Sequence, residues 1–239
     1  MLVDAHCHLY ELSLDLIEKY KGKIFIVAVS DDLKSSLKTL EIGRRFDYVL
    51  PCVGIHPWEV KYVSLEEVEK VVSLVEEHRL DWLGEVGLDK RFVPETFRKQ
   101  LEVFKKFLEV GRERKMVLNI HAAGAWKEVF ELLVKYDIGR AIFHWYTGPL
   151  NLLKEITEAG FFITVNPAVR IQKKLRRIIE ATPLKYLLSE SDGPYKYRGM
   201  LLMPELVRDV IKYIAEIKEM EETSVKKILW SNFNRLRGC

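Results

Sequence analysis

Short apolar runs alternate along the chain with longer stretches in which apolar residues recur every three or four positions. Eight of the short runs have the length and continuity of buried strands, and they cover residues 2–5, 24–29, 49–53, 82–85, 117–121, 140–144, 161–165 and 186–189. They are continuous rather than alternating, as expected of parallel strands that are covered on both faces. The pattern predicts eight strands in a parallel sheet.

The stretches between these strands have the periodicity of helices. Leu65, Val68 and Val75 share one face of such a stretch, and Ser64 followed by Glu67 predicts a capping box at its start. Eight β-then-α units leave two common layouts, a closed barrel or an open doubly wound sheet. Secondary structure alone does not choose between them.

Length and composition set limits on the class of protein. The 239 residues are 48% hydrophobic, and one α/β barrel commonly uses this length, so we expect residues 1–239 to form a single domain. The net charge of only +3 indicates no long-range basic field of the kind that marks many nucleic-acid-binding proteins.

The chain also suggests where the protein works. The cysteines, Cys7, Cys52 and Cys239, share no metal-ligand spacing, so we expect reduced thiols. No apolar stretch approaches the ~20 residues that span a bilayer, and no signal peptide is recognisable before Asp4 and His6. We expect a cytoplasmic protein with no membrane association and no obligate protein partner.

Polar residues stand at or just past the carboxyl end of each predicted strand. In chain order they are His6 and His8, Ser30, His56, Glu85, His121, His144, Asn166 and Asp192. A closed barrel brings these positions together on one face, where barrel enzymes keep their chemistry, whereas an open sheet would spread them along an edge. We therefore predict a single-domain (β/α)8 TIM barrel.

Several of these residues are typical metal ligands. Two residues apart in a strand, His6 and His8 point the same way and can bind one ion, although a buried hydrogen-bonded pair is the alternative. Glu85, at the end of a buried strand, has two oxygens and can bridge two ions, whereas Asp89 better fits a solvated loop acid. Asp192 can bind metal and accept a proton, unless it only caps a turn.

Seven motifs occur in order along the whole chain. They are Asp4-Ala5-His6-Cys7-His8-Leu9, Gly54-Ile55-His56-Pro57, Gly84-Glu85-Val86-Gly87-Leu88-Asp89, Ile120-His121, Phe143-His144, Glu190-Ser191-Asp192-Gly193-Pro194-Tyr195 and residues 232–236. This series resembles the TatD-like deoxyribonucleases, a branch of the amidohydrolase superfamily. The resemblance implies two divalent ions, one held by His6, His8, Glu85 and Asp192, the other by Glu85, His121 and His144. The histidines suit Zn, and the carboxylates also admit Mn or Mg.

The chain departs from that family's pattern around the expected substrate. Ala122-Ala123 follow His121, Trp145-Tyr146-Thr147-Gly148 follow His144, and Lys196-Tyr197-Arg198-Gly199 follow Pro194-Tyr195. Lys196 and Arg198 are candidates for phosphate contacts, and His56 is either a phosphate contact or a hydrogen-bonded loop histidine. Trp58, Trp145, Tyr146 and Tyr195 either stack on bases or pack loops. A basic run of Arg170, Lys173, Lys174, Arg176 and Arg177 is either a solvated helix face or a contact for a phosphate backbone.

These observations predict a metal-dependent hydrolase, a phosphodiesterase or deoxyribonuclease that uses a water activated by two metals, with Asp192 and Glu85 as catalytic residues and nucleic acid, DNA, as substrate. A small-molecule amidohydrolase or phosphotriesterase on the same barrel is the alternative, and a basic rim would favour nucleic acid over it. A non-catalytic metal-binding protein is a third interpretation, and it leaves Asp192 without a role.

Overall fold

The computed structural model describes residues 1–238 and contains ten strands and nine α-helices among them. The strands are β1 (Leu2–Cys7), β2 (Ile24–Ala28), β3 (Val49–Pro51), β4 (Trp82–Gly87), β5 (Val117–His121), β6 (Arg140–Phe143), β7 (Phe162–Val165), β8 (Leu187–Ser189), β9 (Tyr195–Tyr197) and β10 (Met200–Leu202). The ends of the first eight fall within two residues of the predicted ones.

Helices follow the strands as the periodicity predicts. They are α1 (Leu14–Glu18), α2 (Leu33–Arg45), α3 (Leu65–Glu77), α4 (Phe97–Glu113), α5 (Trp126–Lys135), α6 (Leu150–Glu158), α7 (Lys173–Ala181), α8 (Val207–Ile217) and α9 (Glu222–Arg237). The predicted capping box is present, because the Ser64 hydroxyl accepts from Glu67 N and the Glu67 carboxylate accepts from Ser64 N. Within residues 1–238, no helix has both the length and the apolar composition needed to cross a bilayer.

The eight parallel strands form a barrel in sequence order. Strands β1 to β3 pair with one another, as do β4 to β8, and Val53 pairs with Leu83 where the two groups meet. On the other side, Ser189 Oγ donates to Val3 O at 2.7 Å, so β8 lies beside β1. One cluster of hydrophobic side chains collects a residue from each strand: Val3, Val27, Leu50, Trp82, Val117, Ile142, Phe162 and Leu188. The predicted (β/α)8 TIM barrel is confirmed.

The two ends of the barrel differ. Phe233 and Leu236 of α9 join the cluster that fills the end where the strands begin. The end where the strands finish carries the polar residues, as predicted. Cys7 and Cys52 are buried free thiols, and Cys239 lies outside the described residues.

Candidate metal centre and active site

The predicted ligands lie together at the carboxyl ends of the strands. His8, Glu85, His121, His144 and Asp192 line a cavity of about 620 Å³. His6 is fully buried and stacks on the ring of His144 with centroids 3.9 Å apart. Residues from β1, β4, β5, β6 and β8 thus meet although they are far apart in the chain.

Cluster A, which we define as His6, His8, Glu85 and Asp192, includes three residues, His6, His8 and Asp192, whose ligand atoms all lie within 4.8 Å of one another. Glu85 Oε2 lies 3.2 Å from His6 Nε2 and 3.4 Å from His8 Nε2, and those two nitrogens are 3.4 Å apart. Asp192 Oδ1 lies 3.5 Å from each nitrogen. Ligands ~2.0–2.2 Å from one tetrahedral ion are separated by about 3.3–3.6 Å. The distances of His6 and His8 from each other and from the two carboxylates therefore match the ligand spacing around a single ion.

Cluster B, which we define as Glu85, His121 and His144, uses the other oxygen of the same carboxylate. Glu85 Oε1 lies 2.8 Å from His121 Nδ1 and 3.1 Å from His144 Nε2. Among the described residues, Glu85 Oε2 is buried and accepts no hydrogen bond. The carboxylate therefore presents one oxygen to each cluster.

His56 lies against cluster B. Its Nε2 is 3.3 Å from Glu85 Oε1 and 3.1 Å from His121 Nδ1, although the residue belongs to a loop. Trp58 N donates to His56 Nδ1 at 3.2 Å, so in the neutral ring Nδ1 is the acceptor and the proton sits on Nε2. A protonated Nε2 does not bind a metal ion. His56 is therefore placed to donate a hydrogen bond into the cavity.

Neighbouring oxygens orient the ligand histidines. Asn119 Oδ1 lies 2.8 Å from His6 Nδ1, and Asn119 is held in turn by Ala5 O. Asp89 Oδ2 lies 3.0 Å from His121 Nε2. Each contact places the ring proton on the far nitrogen and leaves a lone pair for the cluster. No sequence pattern indicates these contacts, and the only hint of Asn119 is its position two residues before His121 in an apolar strand.

Two further carboxylates, also missed in the sequence, lie behind His8 and His144. Asp31 Oδ1 is 3.1 Å from His8 Nδ1, and Glu190 Oε1 is 3.6 Å from His144 Nδ1. Burial acts to lower the pKa of both histidines. The charges of Asp31 near His8, and of Glu85 and Glu190 near His144, more than offset this and hold both pKa values well above the usual one. Protons therefore compete with metal ions for the ring nitrogens of His8 and His144.

The central carboxylate is ionised. Burial alone would raise the pKa of Glu85, but His56, His144 and His6 outweigh it and hold the pKa well below its usual range. The pKa of Asp192 is also lowered, because hydrogen bonding with His8 and the neighbouring histidine charges outweigh its burial. Both residues are thus in the form that binds cations and accepts protons.

The glycines around Glu85 allow neighbouring backbones to approach it closely. A Cβ on Gly84 would lie 2.6 Å from Asn119 Cβ, and one on Gly87 would lie 1.9 Å from His121 O. On the other side, a Cβ on Gly54 would lie 2.5 Å from Glu85 O. Side chains at these positions would push apart the strands that carry the ligands.

Asp192 is held in place by its surroundings and does not act as a turn cap. Its backbone N donates to His6 O at 3.0 Å, and the preceding Ser191 donates to both oxygens of buried Asp4. Within residues 1–238, no backbone N–H donates to the Asp192 carboxylate. The φ of 54° lies in the left-handed region, which is unusual outside glycine. The side chain is therefore directed at His6 and His8.

The rim of the cavity is basic and aromatic. Arg91, Lys173, Lys174 and Arg198 line it, opposed by Glu11 and Glu59, together with Trp58, Phe92, Trp126, Trp145, Tyr195 and Tyr197. Arg198 and Gly199 form the turn between β9 and β10 with φ of 48° and 85°, the pair of left-handed residues that a tight hairpin prefers. The hairpin thus brings Arg198 to the cavity.

Trp145 is anchored rather than free on the rim. Its backbone N donates to Glu190 Oε1 at 2.9 Å, and its ring packs edge-to-face on Tyr197 and Tyr195, with centroids 5.0 and 6.1 Å away. The indole lines the cavity and is partly exposed.

The structure excludes three of the roles that the sequence allowed. Tyr146 is fully buried and its hydroxyl donates to Pro149 O, so it packs in the core and cannot stack on a base. Lys196 points away from the cavity, because alternate residues of β9, Tyr195 and Tyr197, line it. Asp89 is not a solvated loop acid, because it is fully buried, accepts a hydrogen bond from the Trp58 indole at 2.6 Å and contacts His121.

The barrel and its cluster of histidines and carboxylates define a metal-dependent hydrolase. The chain belongs to the TatD related DNase family, whose sequence profile matches residues 3–238. The uncharacterized metal-dependent hydrolase MJ1582 of Methanocaldococcus jannaschii is 33% identical over 241 residues, which cover 96% of this chain and 94% of that protein. Deoxyribonuclease TATDN3 of Homo sapiens is 25% identical over 257 residues, covering 98% and 94%. The fold is also that of the crystal structure of YJJV, a TatD homolog from Escherichia coli, with a TM-score of 0.89, 19% identity and coverage of 98% and 97%.

Proposed function

We propose that the protein is a phosphodiesterase that uses two divalent metal ions and takes DNA as substrate. The observation that carries the proposal is the Glu85 carboxylate, which directs Oε2 at cluster A and Oε1 at cluster B. A carboxylate in this position can bridge two ions ~3.5–4 Å apart, as in two-metal phosphoesterases. The human relative's name, deoxyribonuclease, supports the choice of DNA.

The residues present fit divalent metal ions. Glu85 Oε2 is a buried oxygen without a hydrogen-bond donor, and the ring contacts with Asn119 and Asp89 turn lone pairs towards the clusters. Imidazole suits Zn, and the carboxylates also admit Mn or Mg. His6, His8, Glu85 and Asp192 would hold one ion, and Glu85, His121 and His144 the other.

The side chains have separable roles in the proposed reaction. When bound, the metal ions supply Lewis acidity, which acidifies a water and polarises a phosphoryl oxygen. Asp192, ionised and at the cavity wall, accepts the proton of the attacking water. His56 donates a hydrogen bond from Nε2 to a phosphate oxygen. Glu85 would be a ligand in both clusters, with one carboxylate oxygen in each.

The rim favours a nucleic acid over a small neutral substrate. Arg198 and Arg91 put positive charge at the mouth, where phosphate oxygens would lie. Trp145, Trp58 and Tyr195 offer partly exposed ring surfaces on which unstacked bases can lie. An amidohydrolase or lactonase acting on neutral compounds has no need of this combination.

A substrate screen tests the proposal. The purified protein is loaded with Zn, Mn or Mg and assayed on single-stranded DNA, RNA, a chromogenic phosphodiester, and a set of amides and lactones. We expect hydrolysis of DNA that is lost in EDTA and restored by metal. Turnover confined to amides or lactones would replace the proposal with the small-molecule alternative, and no turnover on any substrate would favour the non-catalytic one.

A further inference from the structure

A second cavity adjoins the first and is lined by cations. It has a volume of about 320 Å³ and is formed by Gly148, Pro149, Leu150, Lys173, Lys174 and Arg177, which we call the basic groove. Lys173 and Lys174 line both this groove and the cavity above the metal clusters. The groove is therefore a lateral continuation of the active-site cavity.

The cations of the groove have no acidic partner. Among the described residues, no carboxylate lies within ion-pair distance of Lys173, Lys174 or Arg177, and all are exposed. Lys173 and Arg177 are one turn apart and lie on the same face of α7. The adjacent Arg176 differs: it lies 3.8 Å from Glu216 and over the ring of Tyr213. Helix α7 thus has Arg176 paired with an acidic residue, whereas Lys173 and Arg177 on the groove face carry unpaired positive charge.

The start of α7 adds to this excess of positive charge. Lys173 and Lys174 occupy its first turn, which contains no acidic residue. Positive side chains are unfavourable there, because the helix dipole already makes the first turn positive. A bound anion would offset the repulsion among the lysines, and Arg177 lies within its reach, about 6 Å further along the helix axis.

We propose that the basic groove binds the phosphate backbone of a single-stranded polynucleotide at linkages beyond the one that is cut. The inference rests on the proposed phosphodiesterase function and adds that the substrate is a strand of several nucleotides. Phosphate groups repeat along a strand, so a strand with one linkage at the clusters can place a further linkage in the adjoining groove. A single strand is preferred to a duplex because the aromatic side chains of the rim can stack only on bases that are not already stacked in a duplex.

Two matched variants test the groove, Arg177→Gln and Arg176→Gln. They remove the same charge from neighbouring positions of one helix, but only Arg177 lines the groove. Binding is measured with the full chain loaded with Mn, by fluorescence anisotropy of labelled thymidine and uridine octamers. Phosphorothioate linkages keep one negative charge per linkage and slow hydrolysis. A dinucleotide of the same chemistry is the short reference, and circular dichroism checks the fold.

We expect Arg177→Gln to weaken octamer binding roughly fivefold at about 50 mM salt and to lower the salt-dependence slope by about 0.7. Dinucleotide binding and hydrolysis of a chromogenic phosphodiester should not change, and Arg176→Gln should behave like the wild type. Equal effects of both arginines, or none from Arg177→Gln, would overturn the inference. So would a wild type that binds octamer no better than dinucleotide. Failure of the proposed function would be recognised by a different result, the absence of phosphodiester hydrolysis by the wild type. The binding measurements could still be compared in that case. Stronger binding of the uridine octamer would keep the groove but assign it to RNA.

Discussion

Replacing Asp192 with asparagine separates its proposed chemistry from a structural role. Asparagine keeps an oxygen 3.5 Å from His6 Nε2 and His8 Nε2 but loses the charge and the basicity. Its neighbours hold the pKa of Asp192 below the usual value, which favours the ionised carboxylate, the form that can accept a proton. Losing general acid–base help typically costs about 10²–10⁴-fold in turnover, or roughly 3–5 kcal/mol in the barrier. We expect a loss in that range.

The structural alternative makes a different prediction. A turn cap is worth about 1 kcal/mol, which is about 2–4 °C in melting temperature for a chain of this size, and leaves turnover per folded molecule unchanged. The measurements are turnover on DNA, bound metal by elemental analysis and melting temperature, all on one preparation. We expect Asp192→Asn to fold and to retain at least the ion of cluster B.

The matched control is Asp47→Asn, an exposed aspartate just before β3, at the opposite end of the barrel from the clusters. It should retain wild-type turnover and metal content. If a well-folded Asp192→Asn protein turned over DNA at the wild-type rate, the role given to this carboxylate would be wrong.

The remaining predictions concern the metal and its surroundings. EDTA should lower the melting temperature of the metal-loaded protein, because ligands at the ends of five strands lose a common partner; an unchanged melting temperature would contradict a metal that bridges the barrel. Calorimetry should record one transition if residues 1–239 form a single domain. Raised pKa values at His8, His121 and His144 mean that metal must displace protons, so affinity should weaken as the pH falls from about 8 to 6, and isothermal titration in buffers of different ionisation enthalpy should detect proton release. Asp89→Asn should reduce metal affinity or turnover about 10–100-fold, against Asp47→Asn as control; a smaller effect would show that the contact with His121 does not orient the ring.

The strands and the clustering of the polar residues could be predicted because both follow from local patterns. Buried parallel strands are continuous apolar runs, and closing them brings their ends together, so His6 and His144 stack although they lie in different motifs. The contacts behind the ligands could not be predicted. His6 and Asn119 are 113 residues apart, and no periodicity relates them.

The rim was harder to predict because loops have no repeating pattern. Tyr146 and Trp145 are adjacent aromatics, yet one is fully buried and the other lines the cavity. The left-handed φ of 39° at Trp145 turns the chain there, and nothing in the composition of the segment indicates it. The burial of Asp89 could not be predicted for a related reason, because its partners, Trp58 and His121, come from other segments.

The proposed metal ligands and the substrate contacts are carried by different parts of the chain. The ligands lie on or next to strand ends that approach one another closely because Gly84 and Gly87 have no side chain. A larger residue at either glycine would clash with the neighbouring strand and disturb the barrel. Arg198 and Tyr197 belong instead to the β9–β10 hairpin, a two-stranded sheet separate from the eight barrel strands. Natural selection can therefore replace the hairpin and retarget the enzyme while the reaction itself is inherited unchanged, which makes the hairpin the segment to exchange between relatives when a new specificity is sought.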